Sequence, residues 1–268
     1  MEGVRRARRS ATAVVGLALA CGAVACSGSK GGAGPTPSSP AALSGTPVGL
    51  TVLAESGGAV RVSWKAPAQA AGITGYTIYR GGTLLKLVSP SLTSYLDDTV
   101  DPEQSYSYEV EAVTGAGRSP RTASVSVTTP PPPPVSDARV EGRFLIDGKV
   151  TKTTFTNYHA GSRYRTTWYF DPTCDVGACD VKTGGDGNKE SVLRRKGAGY
   201  SGKVSVPKGS QCGKVKIGET ETISFRVTAA HFLHGVWLAS KIQGTFRIDS
   251  GAALGCSSGY SEATFTGF

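Results

Sequence analysis

Few residues in this chain of 268 have the types and spacing that chemistry needs. Gly255-Cys256-Ser257-Ser258-Gly259 spells G-x-S-x-G, the string that sets a nucleophilic serine on a strand-to-helix turn. That serine needs an acid and a histidine after it, yet neither His nor Asp occurs beyond Gly259. We read the match as chance. His231 and His234 are three apart, without the glutamate that a zinc-protease helix places between its histidines, and His159 stands alone. Asp171, Asp175 and Asp180 cluster near two cysteines, with Glu219 and Glu221 further on. Paired carboxylates hydrolyse glycosides when they flank the bond. The spacing here does not distinguish such a pair from solvated turn residues. The same aspartates, with Asp186, lack the loop pattern of a calcium site. The expectation is therefore no catalytic residue, no metal and no cofactor.

Four cysteines, Cys174, Cys179, Cys212 and Cys256, remain once the N-terminal pair is set aside. In an exported protein they form disulfides, and four cysteines allow three pairings. We favour Cys174–Cys179, which brackets a tight Asp-Val-Gly-Ala turn, and Cys212–Cys256. A four-cysteine zinc site usually shows two close pairs, and only one pair is close here.

Export is written at the N-terminus. Arg5, Arg6, Arg8 and Arg9 precede an apolar run from Ala11 to Ala25, too short to span a bilayer as a helix. Ala23-Val24-Ala25-Cys26 then resembles a bacterial lipobox, which implies cleavage after residue 25 and lipidation of Cys26. Residues 26–46, rich in Gly, Ser, Pro and Ala, bury too little apolar surface to order and read as a tether. The expected place is the outer face of the cell membrane, held by lipid, or secretion.

Two modules follow, at 47–129 and 135–268, separated by Pro130 to Pro134, a stiff polyproline segment of roughly 15 Å. In the first, Val60, Val62 and Trp64 alternate with polar residues, as do Tyr106, Tyr108, Val110 and Ala112. With Gly75-Tyr76-Thr77-Ile78-Tyr79-Arg80 these runs resemble a fibronectin type III domain. The resemblance implies a β-sandwich with Trp64, Tyr76 and Ile78 in its core. It also implies a tyrosine corner at Tyr106, with Val100 as its apolar companion.

In the second module Tyr164, Thr166, Trp168 and Phe170 share a face, and so do Ile223, Phe225 and Val227. Short alternating runs punctuated by glycine, as at Gly184-Gly185-Asp186-Gly187-Asn188, predict a second antiparallel sandwich or small barrel of eight or nine strands. A short helix is expected over Thr228 to Leu233. Trp168-Tyr169-Phe170-Asp171-Pro172-Thr173-Cys174, Gly177-Ala178-Cys179, Tyr200-Ser201-Gly202 and Trp237 resemble an uncharacterised domain of actinobacterial surface proteins, which carries no assigned activity.

The net charge of +9 is unevenly spread, for 18 basic residues face 12 acidic ones from Val135 onward. Arg194, Arg195 and Lys196 form the densest run. A cationic face attracts anionic wall polymers or lipid head groups. Nucleic acid is the wrong partner outside the cell. The reading is an all-β, non-enzymatic surface lipoprotein that presents a basic domain to cell-wall polysaccharide or a surface protein. Trp168, Tyr169, Arg194, Arg195 and Lys196 are its candidate contacts. Two alternatives stand: a polysaccharide-degrading glycosidase or its accessory, since such sandwiches accompany those enzymes, and a lipocalin-like barrel with an apolar ligand pocket.

Overall fold

The computed structural model describes residues 45–156, 159–184, 191–212, 214–252 and 257–268. The signal segment, Cys26 and most of the tether lie outside the described residues. So do Asp186 and Cys256, and with Cys256 the proposed Cys212–Cys256 bridge.

The first module is a two-sheet sandwich. Strands β1 (Val48–Ser56), β2 (Ala59–Lys65) and β5 (Ser94–Asp97) form one sheet. Strands β3 (Ile73–Arg80), β4 (Thr83–Val88), β6 (Ser105–Thr114), β7 (Gly117–Arg118) and β8 (Val125–Thr128) form the other. Period-two alternation sends Val60, Val62, Trp64, Tyr76, Ile78, Tyr108 and Val110 between the sheets, all buried. Trp64 meets Tyr76 edge-on at 5.4 Å. The Tyr106 hydroxyl accepts a hydrogen bond from the Asp101 amide at 2.8 Å, beside buried Val100, which is the tyrosine corner. Asp97, fully buried, accepts from Arg80 and from the Tyr108 hydroxyl, each at 2.8 Å. Burial first, and then Asp97, raise the Tyr108 phenol well above its ordinary range.

The second module closes into a barrel. Its strands are β9 (Gly142–Thr153), β10 (Arg163–Pro172), β11 (Val181–Gly184), β12 (Ser191–Lys196), β13 (Gly199–Cys212), β14 (Val215–Leu233), β15 (Val236–Ser250) and β16 (Gly259–Gly267). Each pairs antiparallel with the next, and β16 returns to β9 from Ile146↔Gly267 to Thr153↔Ser261. The strand order is thereby closed. Of the two architectures expected, the barrel is the one formed.

Cross-strand neighbours share a face, so the pairing defines interior layers. One runs Tyr164, Gly148, Phe265, Gly244, Phe225, Tyr200. Large residues alternate with glycines because two adjacent rings do not fit the small bore. A β-carbon on Gly148 would lie 2.0 Å from the Tyr164 ring. Tyr200 stacks on Phe225 at 4.9 Å, and Phe170 leans on Phe225 at 5.2 Å.

The barrel end toward the sandwich is stoppered by the chain that enters it. A single 3-10 turn, Val135–Asp137, leads to buried Ala138 and Val140, and Arg139 bridges to Leu238. From the same end the β14–β15 ribbon projects to the first module. There the Phe232 ring packs over Gly57 and Gly58, and Trp237 donates from Nε1 to the Pro134 carbonyl at 3.1 Å. The ribbon thus holds the last residue of the proline segment.

One expectation is corrected. Thr228 to Leu233 is strand, not helix. Register shifts at Val227/Ala229 and Ala229/Ala230 interrupt the alternation, and β-bulges of this kind blur a strand into an apparent helical period.

Candidate functional site on the barrel

Strand alternation divides the candidate contacts between the two faces of the wall. Trp168 points inward and meets Phe265 at 4.8 Å, Phe246 at 5.7 Å and Phe170 at 6.3 Å. It belongs to the core and is withdrawn as a surface contact. Tyr169, its neighbour, points outward, is 45% exposed, and carries the Arg143 guanidinium 5.3 Å above its ring.

The basic run splits in the same way. Arg194 is outward, with a side chain 78% exposed, and pairs with Asp180 at 2.6 Å. Arg195 turns in and donates to the Ser136 carbonyl, fastening the stopper to β12. Lys196 is exposed. Asp180 joins the two arginines, accepting from the Arg195 amide at 2.7 Å as well as from Arg194. These bonds, the Arg195 amide first, hold its carboxyl below the ordinary carboxylate range. Arg194 and Arg195 therefore tie β12 to the loop closed by the Cys174–Cys179 disulfide, as well as contributing charge.

What the outer surface assembles is broader than that run. On β9 to β13 the outward positions carry Arg143, Tyr169, Lys182, Arg194 and Lys203, which lie on adjacent strands. Asp171 stands opposite Lys182 and Asp180 binds Arg194. The balance stays positive, and Tyr169 lies at one side of it beside Arg143. Sequence reasoning did not connect Arg143, Lys182 and Lys203 to Tyr169, although each is an outward step of the same alternation.

The far end of the barrel holds a different arrangement. A recess of about 250 Å³ is lined by Val150, Ser162, Arg163, Tyr164, Phe246, Ile248, Ser261 and Ala263. Among the described residues the buried Tyr164 hydroxyl has no hydrogen-bond partner, an omission that costs about 1–3 kcal/mol. Burial pushes its phenol up to about 12. Glu221 stands directly across from Ile248, and Glu219 across from Ser250, both on the interior side two and four residues before Ile223. Burial, and then Glu219, raise the Glu221 carboxyl above its ordinary value.

These two glutamates lie on one strand, two residues apart. A glycosidic pair must instead flank the scissile bond from two sides. His234 sits in the β14–β15 turn with Nδ1 3.4 Å from Asp98, while His231 is exposed along the ribbon. Among the described residues no three His, Cys, Asp or Glu side chains converge as a metal site would require.

Comparison with known proteins places the first module. Residues 45–128 match the fibronectin type III domain family. The chain is a fibronectin type III domain-containing protein, all-β throughout its described residues. Chitinase Chi52 of Paenibacillus xylanexedens is 34% identical over 100 residues, which are 37% of this chain and 19% of that enzyme. Poly(3-hydroxybutyrate) depolymerase of Ralstonia pickettii is 40% identical over 83 residues, 31% of this chain and 16% of that enzyme. The chain thus spans less than a fifth of the length of these curated relatives. Among solved structures, the sixth fibronectin type III domain of a human protein is 23% identical, covering 36% of this chain and 95% of that domain at a TM-score of 0.32.

Proposed function

We propose that this chain is a surface-anchored binding protein associated with extracellular polymer. Lipid on Cys26 holds it to the membrane, residues 26–46 lift it away, and the fibronectin type III module carries the barrel as the binding head. The ligand in this reading is an anionic cell-wall polymer. The observation that carries it is the outward face of Arg143, Tyr169, Lys182, Arg194 and Lys203, spread over five adjacent strands. A closed barrel holds such charges at fixed spacing. Repeated anionic groups then engage several at once, while the Tyr169 ring offers an apolar surface. Partial likeness to a chitinase and to a poly(3-hydroxybutyrate) depolymerase, both named for polymers, supports a place beside polymer.

Co-sedimentation of the chain with isolated cell wall, across a salt series, tests this reading. Saturable binding that weakens steeply with salt is expected, because screened charges supply the attraction. Binding that ignores salt would remove the basic face from the account.

A further inference from the structure

We infer that the far recess of the barrel binds a small, neutral, mainly apolar molecule that offers one hydrogen-bond acceptor to the Tyr164 hydroxyl. The site is separate from the outer face and goes beyond polymer association.

Size comes first. An apolar cavity of roughly 150 Å³ holds one benzene molecule, and drug-sized ligands need about 300 Å³ or more. At about 250 Å³ the recess suits a single ring with a short substituent. Its floor is firm, since Phe246 rests on Trp168, which packs in turn on Phe170 and Phe265. The space is therefore a feature of the wall pattern. Small residues create it: Ala263 lies between Val150 and Phe246 in one interior layer, and Gly148 lets the Tyr164 ring lie flat against the backbone.

Chemistry then narrows the ligand. Val150, Phe246, Ile248 and Ala263 supply apolar walls, and Ser162 and Ser261 add hydroxyls. Arg163 lines one side of the recess, but Glu221 and Glu219 occupy neighbouring interior positions on β14, so no net positive charge draws an anion in. An apolar lining penalises a cation too, unless it reaches those carboxylates. Tyr164 lines the recess with a buried hydroxyl that lacks a partner among the described residues, so an acceptor on the ligand would satisfy it.

Fluorine NMR titration of the full chain tests the assignment. Para-fluoroacetophenone is neutral, has one ring and carries one carbonyl acceptor. It should bind saturably, with para-fluoroethylbenzene about fivefold weaker and para-fluorobenzoate and para-fluorobenzylammonium not binding. Tyr164→Phe should weaken the ketone about fivefold and leave the hydrocarbon unchanged, as the loss of one hydrogen bond predicts. Ala263→Leu should abolish both by filling the recess. Ile248→Phe does so from the neighbouring strand should the first variant not fold. Non-saturable shifts for all probes would overturn the inference. So would tighter binding of the ammonium probe, or ketone binding that survives both filled variants. Wall sedimentation by the same variants should be unchanged, so failure here and failure of the outer-face reading are distinguishable.

Discussion

The Phe232 ring lies on the backbone of Gly58, so close that a β-carbon there would fall 2.3 Å from the ring. Gly58 belongs to the sandwich and Phe232 to the ribbon that leaves the barrel. Trp237 backs Phe232 at 4.9 Å and also holds the Pro134 carbonyl. Neither module supplies this joint alone. Gly58→Val should force the ring out at a cost of about 1–3 kcal/mol, the usual range for overpacking. Small-angle scattering should then show a larger radius of gyration, and the proline segment should become sensitive to protease. An unchanged radius would mean that the ribbon contact does not join the modules in solution.

Glu221 makes stability depend on pH in a definite sense. Burial and Glu219 raise its folded-state carboxyl above the ordinary value near 4.5. The folded chain therefore binds more protons than the unfolded one across that interval, and stability falls as pH rises from about 4.5 through the raised folded value. Glu221→Gln removes this dependence. Urea unfolding at pH 4 and pH 7 should show the variant gaining on the wild type at the higher pH. Parallel behaviour at both values would place Glu221 in water.

The Cys174–Cys179 bridge closes a short loop between β10 and β11. In the chain-entropy model such a loop contributes about 2 kcal/mol. Replacing both cysteines by serine should lower the barrel's unfolding midpoint and leave the sandwich untouched, as read by calorimetry. Equal loss in both modules would show that they unfold as one unit.

Tyr106→Phe removes the hydrogen bond to the Asp101 amide. The expected loss is about 1 kcal/mol, measured by denaturant titration. No change would mean that water replaces the hydroxyl without cost.

That tyrosine corner was legible beforehand because its residues lie close in sequence and each carries a distinctive side chain. The barrel was harder. Alternation of Tyr164, Thr166, Trp168 and Phe170 gives strand faces, but a sandwich and a barrel share that pattern. What separates them is the pairing of β9 with β16, more than a hundred residues apart, which no local signal records. The inward glutamates did have a signal. Glu219 and Glu221 continue the parity of Ile223, Phe225 and Val227, and charge made them look like surface residues. Trp168 and Tyr169 were paired as contacts although adjacent strand residues face opposite sides. The bulges near Ala229 hid the ribbon, and with it the joint to the sandwich.

The central claim is that the outer basic face holds an anionic polymer. Its most direct test compares wild type with a variant carrying Lys182→Glu, Lys196→Glu and Lys203→Glu, positions that are exposed and outside the core. Both would be sedimented with isolated cell wall at fixed low salt. The account predicts that the variant, still folded by circular dichroism, loses at least tenfold in affinity and most of its salt dependence. Undiminished binding by the variant would contradict it.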